Sequence, residues 1–178
     1  MVPKKRVRSK LAERTLTVLR RGTAHQVGNS LYYVSSEVIG AIQIALHGTL
    51  DETSDLSAIF KLEGVVHLDL AAVSGINSMG VSVWINAKRN RSPELRLRLR
   101  RCSPPFVEQM NLLPEFTSDI EIASLIAPYV CPHCTRESDE LLEIAEIEDV
   151  TPPLRRCSEC STQLDLDDLP EVYFAFLR

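Results

Sequence analysis

Apolar residues in this chain are spaced in patterns that predict five strands. β-Branched and apolar residues at 31–34 and 39–46 predict two strands joined as a hairpin, and the mostly apolar run at 65–70 predicts a buried strand. Residues 94–101 alternate leucine with arginine, so one face of this strand should be buried and the other exposed. The run at 119–130 predicts a fifth strand.

Helical spacing occurs between these runs. Residues 55–62 have a short helical period, residues 78–90 carry apolar side chains at helical spacing, and a helix is predicted over 103–113 because prolines occupy its first turn. The resulting order, β-β-α-β-α-β-α-β, predicts an α/β fold with a mixed sheet and packed helices.

Two C-x-x-C pairs are the strongest chemical signal. Cys131 and Cys134 form the first, Cys157 and Cys160 form the second, and 22 residues separate them. Four thiolates held in two tight turns suit tetrahedral Zn²⁺, so we predict a structural zinc ion in a small β module, a zinc ribbon at residues 129–178. Four protein ligands leave no position for a water molecule, which argues against catalysis by this metal. A redox role for the thiols is the alternative.

Three further residues or segments concern the ribbon and its surroundings. His133 lies between the first two cysteines and is interpreted as a solvated residue, because four sulfurs already satisfy the metal. Cys102 is interpreted as a small buried residue. The aromatic run at 172–177 predicts a strand that closes the ribbon, with partner contact as the alternative.

Charge is distributed unevenly along the chain. Residues 1–101 carry 16 Lys and Arg against 8 Asp and Glu, a net charge of +8, whereas residues 102–178 carry 4 against 16, a net charge of −12. Residues 1–30 begin with a basic cluster and predict a poorly ordered arm, or a tether for an acidic surface or nucleic acid. The ribbon is acidic, so we do not expect it to bind nucleic acid.

Arg96, Arg98 and Arg100 place positive charge on one face of the arginine–leucine strand. The simplest interpretation is a solvated face. The functional alternatives are an acidic protein partner or the chain's own acidic ribbon. Nucleic acid ranks below both, because no aromatic residue is interleaved with these arginines.

Several functional classes find no support in the sequence. No apolar run approaches the roughly 18–20 residues of a membrane-spanning helix, and no apolar segment follows the basic N-terminus as in a signal peptide. We therefore expect a cytoplasmic protein without membrane insertion. There is no glycine-rich phosphate loop, and His25, His47 and His67 lack a nucleophile at a recognisable spacing, so we expect a non-enzymatic protein.

Four sequence pieces carry a resemblance to a known family. Residues 47–51 (HGTLD) are similar to a G-x-L-D turn, and residues 75–80 (GINSMG) after the strand at 65–70 are similar to a D-S-[ST]-G helix start. The strand at 95–103 and the helix at 105–113 are similar to a strand followed by an S-P-x-V segment. Over residues 34–126 the chain resembles the STAS domain of bacterial anti-sigma-factor antagonists, stressosome proteins and anion transporters.

The resemblance implies a site at the start of the second predicted helix. Ser78 matches the serine that a partner kinase phosphorylates in antagonist members, and Asp51, Asn77, Ser78 and Met79 match the partner-binding surface. The chain departs from the family pattern at Asn77, which replaces an aspartate, and at Met79, which replaces serine or threonine. The alternative is that Ser78 only caps the helix.

The predicted organisation is therefore a basic arm at 1–30, a STAS-like domain at 31–128 and a zinc ribbon at 129–178. The family's final helix is missing, so the ribbon is expected to cover the face that this helix would occupy. The resemblance implies a regulatory protein–protein interaction module that switches between partners, an anti-sigma-type serine kinase among them. The alternatives are a scaffold subunit without phosphorylation, which leaves a homo-oligomer open, and nucleotide or small-ligand binding.

Overall fold

The structure is a computed structural model that describes residues 22–38 and 40–178. It contains a six-stranded mixed sheet with packed helices and a small three-stranded sheet beside a cluster of four cysteines. This confirms the predicted fold class, an α/β layer with a small metal-binding β module. Residues 1–21 of the predicted basic arm, and its lysine and arginine cluster, lie outside the described residues.

The elements follow the predicted order, with additions at both ends of the chain. The strands are β1 (Thr23–Gln26), β2 (Leu31–Val38), β3 (Ala41–Leu50), β4 (Gly64–Ile76), β5 (Leu95–Arg100), β6 (Glu121–Ile122), β7 (Ser124–Val130), β8 (Glu137–Glu143) and β9 (Asp165–Leu166). The helices are α1 (Ser57–Phe60), α2 (Ser78–Arg89), α3 (Pro104–Leu112) and α4 (Pro170–Tyr173).

The first sheet has the strand order β1-β2-β3-β4-β5-β6. Strands β1, β2 and β3 are antiparallel, which confirms the predicted hairpin of β2 and β3, whereas β3, β4, β5 and β6 pair in parallel. Strand β1 lies at Thr23–Gln26, within the range assigned from sequence to the basic arm. The sheet therefore begins before residue 31.

The core lies between this sheet and the helices. Leu95, Leu97 and Leu99 are buried while the arginines between them are exposed, as the alternation predicts. Four buried aromatic side chains fill the space between the helices and the sheet: Phe60, Trp84, Phe106 and Phe116. The Trp84 indole N–H donates to the carbonyl of Phe116 at 2.8 Å, so the polar atom of this large buried ring is satisfied.

The strand predicted at 119–130 is divided between the two sheets. Strand β6 pairs with β5 in the first sheet, and β7 pairs with β8 and β9 in the second. Ala123 joins them, and its N–H donates to the carbonyl of Leu99 at 2.8 Å. The single strand predicted here is therefore wrong, and the sequence-based boundary between residues 128 and 129 falls inside β7.

The closing strand predicted at 172–177 is also wrong. This segment forms the end of α4 and a 3-10 turn at Ala175–Leu177. Pro170 starts the helix, and Tyr173 and Phe174 are both buried. The Asn111 side chain, from α3, donates to the Tyr173 carbonyl at 3.0 Å and accepts from the Phe176 N–H at 2.9 Å.

Candidate metal centre and partner-binding surface

The four cysteines of the two C-x-x-C pairs converge in the structure. Their Sγ atoms all lie within 4.8 Å of one another, and among the described residues they form the group that could hold a metal ion. Three of the Sγ–Sγ distances are 3.5 Å for Cys131 and Cys160, 3.6 Å for Cys134 and Cys157, and 3.8 Å for Cys134 and Cys160. Four sulfurs at about 2.3 Å from one ion, in a tetrahedron, lie about 3.8 Å apart. The spacing therefore fits a single four-coordinate metal ion.

The two C-x-x-C turns have the same backbone hydrogen bonds. In the first, the Thr135 N–H donates to the Cys131 carbonyl at 2.9 Å; in the second, the Ser161 N–H donates to the Cys157 carbonyl at 2.9 Å. The first cysteine of each turn also donates its own N–H across the turn, to Arg136 and to Thr162, at 2.8 Å in both cases. These matched bonds direct two thiols from each turn towards the same point.

The environment of the cysteines differs within each turn. Cys131 and Cys157 are buried, Cys134 is exposed and Cys160 is intermediate. The Thr162 hydroxyl lies 3.4 Å from Cys160 Sγ, and hydrogen bonding with Thr162 is the main cause of the lowered pKa of Cys160, about 6. Metal ligation requires thiolates, so binding of an ion by these four cysteines depends on pH.

The remaining histidine and cysteine of this region lie where the sequence predicts. His133 is exposed on the first turn. Cys102 is fully buried, and burial raises the pKa of its thiol, so it is a packed apolar residue rather than a fifth ligand.

At the start of α2 the structure assigns the helix cap to Asn77. The Asn77 Oδ1 accepts a hydrogen bond from the Gly80 N–H at 2.7 Å, and Ser78 is the first helical residue. The interpretation of Ser78 as the cap is therefore wrong. Asparagine caps a helix as well as serine does, so the Asn77 amide satisfies the N–H that the Ser78 hydroxyl was expected to satisfy. Ser78 and Met79 are exposed, with Met79 at 53%.

The turn after β3 lies against this helix start. The Asn77 N–H donates to the Leu50 carbonyl at 3.2 Å, and a Cβ on Gly80 would lie 2.1 Å from the same oxygen. Gly80 therefore permits the close contact between α2 and the turn. This contact places the turn that contains Asp51 beside Asn77, at the start of the helix that carries Ser78 and Met79.

Asp51 faces its own turn. Its Oδ1 accepts from the Thr53 hydroxyl at 2.6 Å, the Thr53 N–H at 2.9 Å and the Ser54 hydroxyl at 3.2 Å. The Thr53 hydroxyl is the main cause of the lowered pKa of Asp51. The acid that reaches the helix start is Glu52, whose Oε2 accepts from Asn77 Nδ2 at 3.1 Å. Sequence analysis did not identify Glu52, and its only signal is that it directly follows the D of the G-x-L-D piece.

The arginine face of β5 is exposed, as predicted. Arg96, Arg98 and Arg100 project from the sheet on the side away from the core, and Arg98 forms an ion pair of 2.9 Å with Glu121.

Comparison with family models, with curated proteins and with solved structures finds no match to this chain. None of the described helices is both long enough and apolar enough to cross a membrane.

Proposed function

We propose that this protein is a non-enzymatic regulatory module that binds protein partners through the surface formed by Asp51, Asn77, Ser78 and Met79. In this proposal phosphorylation of Ser78 controls partner binding. The observation that carries it is the position of Ser78, which is exposed at the first residue of α2 while Asn77 performs the capping. The Ser78 hydroxyl is therefore not required by the fold and is accessible to a kinase.

A phosphate on Ser78 is expected to leave the protein folded but to weaken its complex with a partner. The N-terminus of a helix favours negative charge, so the modified chain is expected to remain folded. The group adds about −1.5 to −2 charges to a surface that contains the exposed apolar side chain of Met79. A partner packed on Met79 would have to desolvate the phosphate, and the phosphate would repel any acidic group of that partner. We expect phosphorylation to release such a partner.

We further propose that the four cysteines hold a structural zinc ion. The support is the all-sulfur ligand set and the Sγ–Sγ distances, which suit Zn²⁺ and leave no open coordination position. Zinc bound here would stabilise the fold of the ribbon. Ligation needs reduced thiols, which is consistent with the proposed location in the cytoplasm.

The experiment that tests the partner switch is an affinity capture from the protein's own cells with three baits. These are the wild type, Ser78→Glu and a matched control, Ser82→Glu. The control places the same charge one turn further along the exposed face of α2. We expect a kinase-class partner to bind the wild type and the Ser82→Glu bait but not the Ser78→Glu bait. Mass spectrometry of the wild type should find phosphate on Ser78.

Other outcomes lead to different conclusions. Recovery of one and the same assembly with all three baits, without a kinase and without phosphate on Ser78, would exclude the switch and favour the scaffold alternative. Loss of the partner with both glutamate variants would show only a general effect of charge. For the metal, elemental analysis should find one zinc per chain in the wild type and none in Cys131→Ser; another metal in its place would contradict the zinc assignment.

A further inference from the structure

The face of the six-stranded sheet opposite the core carries a second group of polar and aromatic side chains. Residues paired across parallel or antiparallel strands project to the same side of a sheet. The register pairs Tyr32 with His47, Gln43 with His67 and His67 with Arg98. Strand pairing therefore places residues far apart in the sequence on the same outer face as the arginines.

One border of this outer face is the row of Arg96, Arg98 and Arg100 on β5. They are two residues apart on a strand, which separates neighbouring side chains by about 6.6 Å. That separation is comparable to the distance between successive phosphates of an extended single strand of nucleic acid. The nearby acids are already paired, since Asp69 forms an ion pair with Arg101 and Glu121 with Arg98. Glu121 offsets part of the charge of Arg98, so the row of three arginines keeps a net positive charge at this border.

The opposite border carries stacked rings. Tyr32 and His47 lie with their ring centres 4.8 Å apart and their planes inclined by 4°, and Tyr32 is 37% exposed. Across the sheet, Tyr32 lies three strand spacings from the arginine strand, about 14 Å, and His47 lies two, about 10 Å. Between His47 and the arginine row, the outer face carries Gln43 on β3 and His67 on β4. The face thus has cations at one border, aromatic rings at the other and polar side chains between them.

We infer that this outer face binds single-stranded nucleic acid. The arginine row would contact successive phosphates, and the bases would lie across Gln43 and His67 towards Tyr32 and His47. Arginines that follow a backbone, together with rings on which bases stack, are what sequence-tolerant single-strand binding requires. An acidic peptide would use the arginines but would gain nothing from the exposed ring of Tyr32. The combination of the two borders therefore favours nucleic acid over an acidic protein.

The test measures fluorescence anisotropy with the zinc-loaded full chain and a labelled DNA single strand of about 12 nucleotides, within the range of known site sizes. Two variants probe the two borders: the triple variant Arg96→Gln, Arg98→Gln, Arg100→Gln, and the single variant Tyr32→Ala. A triple control of equal charge removes exposed cations elsewhere: Lys61→Gln, Arg89→Gln, Arg156→Gln. Circular dichroism and thermal unfolding verify that each variant is folded.

We expect wild-type binding at low salt with a dissociation constant of roughly 1–100 μM. Three phosphate contacts predict that affinity falls roughly 20-fold between 50 and 200 mM salt, because the slope is about −0.7 per contact for single strands. The arginine triple variant should weaken binding by about tenfold or more, and Tyr32→Ala by about fivefold or more. The control triple variant should bind like the wild type.

A strand of the same length with abasic sites separates base stacking from charge. The wild type should bind it more weakly than the normal strand, and Tyr32→Ala should cause no further loss with it. Equal binding of both strands would overturn the proposal, and so would an equal loss in the two triple variants. Displacement of the DNA by polyglutamate as effectively as by unlabelled DNA would indicate an acidic protein as the occupant. Absence of DNA binding by the wild type at low salt would also overturn the proposal.

Discussion

At the scale of single residues, the site at the start of α2 depends on which side chain caps the helix. Asn77 and Ser78 are adjacent, both have side chains suited to capping, and only the backbone conformation decides between them. Asn77 has extended φ and ψ angles of −91° and 173°, as a cap residue does, and Ser78 is already helical.

Replacement of the two residues should therefore have different effects on stability. Asn77→Ala removes the acceptor of the Gly80 N–H and should lower the free energy of unfolding by about 1 kcal/mol. Ser78→Ala should change it by no more than about 0.5 kcal/mol, because an exposed first-turn hydroxyl performs no capping. Urea unfolding at neutral pH measures both. A larger loss in Ser78→Ala than in Asn77→Ala would contradict this assignment.

His47 should make stability depend on pH. Burial is the main cause of its lowered pKa, with a further contribution from Arg101, and Asp69 opposes them. The native state therefore binds this proton less readily than the unfolded chain does. As pH falls below the unfolded pKa of about 6.5, protonation favours unfolding, so stability decreases, by at most about 1.4 kcal/mol per pH unit for one proton.

The variant His47→Phe keeps a ring beside Tyr32 but cannot titrate. We expect its free energy of unfolding, measured in urea from pH 7.5 to 5.5, to fall less steeply than that of the wild type. His25→Phe is the matched control, since His25 also stacks on a tyrosine but lies on exposed β1. Comparing variants at each pH cancels any common effect of pH on metal binding. Parallel curves for the wild type and His47→Phe would count against the expectation.

At this scale, the sequence predicts sites whose residues lie close together along the chain, and it does not predict contacts between residues that are far apart along the chain. The cluster of four cysteines follows from two short spacings. The Asn77–Glu52 hydrogen bond and the ring pair of Tyr32 and His47 depend on strand and turn contacts between residues 25 and 15 positions apart. No local pattern indicates such contacts. No aromatic residue is interleaved with the arginines in the sequence. Strand pairing nevertheless places Tyr32 and His47 on the same face of the sheet as the arginines.

At the scale of elements, the two C-x-x-C turns share a backbone feature. The residue after each turn's second cysteine has a positive φ angle, 57° at Thr135 and 59° at Ser161. This left-handed conformation costs a residue with a Cβ atom roughly 1–2 kcal/mol, which glycine avoids. Both turns therefore hold their cysteines at some cost in backbone energy.

Glycine at these positions should stabilise the metal-bound protein. We expect Thr135→Gly and Ser161→Gly each to raise the free energy of unfolding by up to about 1 kcal/mol, since the greater freedom of glycine in the unfolded chain offsets part of the gain. The matched variants Thr135→Ala and Ser161→Ala keep a Cβ atom and should give no such increase. Thermal unfolding of the zinc-loaded protein measures the difference. Equal melting temperatures for the glycine and alanine variants would contradict the prediction.

Element prediction from this sequence was most accurate where the periodicity was long. The leucine–arginine alternation of β5 and the helical spacing of α2 both match the structure to within two residues at each end. The run at 172–177 was misread because aromatic content favours strands, whereas contacts with α3 determine the conformation of this segment. Tertiary contacts of this kind have no signature within a six-residue window.

At the scale of the whole molecule, the metal-binding module and the α/β layer share one hydrophobic core. Cys131, Cys157 and Phe174 belong to the same buried cluster as Trp84 and Leu68. Backbone bonds also cross the junction, since the Ile126 N–H donates to the Cys102 carbonyl at 2.8 Å. The stability of the large sheet should therefore depend on the metal.

Metal removal should lower the stability of the entire chain in a single transition. If only about 3 kcal/mol of the metal's binding free energy is coupled to the core, the melting temperature should fall by about 6–12 °C on chelation under reducing conditions. Near-UV circular dichroism of Trp84, which lies in the core of the large sheet, reports the transition. Zinc should restore it, and an unchanged Trp84 signal on chelation would show that the two parts unfold independently.

The passage of the chain from β6 to β7 through Ala123 limits how this protein can be divided. A cut at residue 128, where the sequence predicts the end of the first domain, would leave Leu125 and Ile126 on one fragment without β8 and β9. The other fragment would lose the central strand of its three-stranded sheet. The cysteine module therefore cannot be moved to another protein by a cut at residue 128. A fusion protein that contains the module must begin before Ser124 and must provide an apolar surface in place of α3.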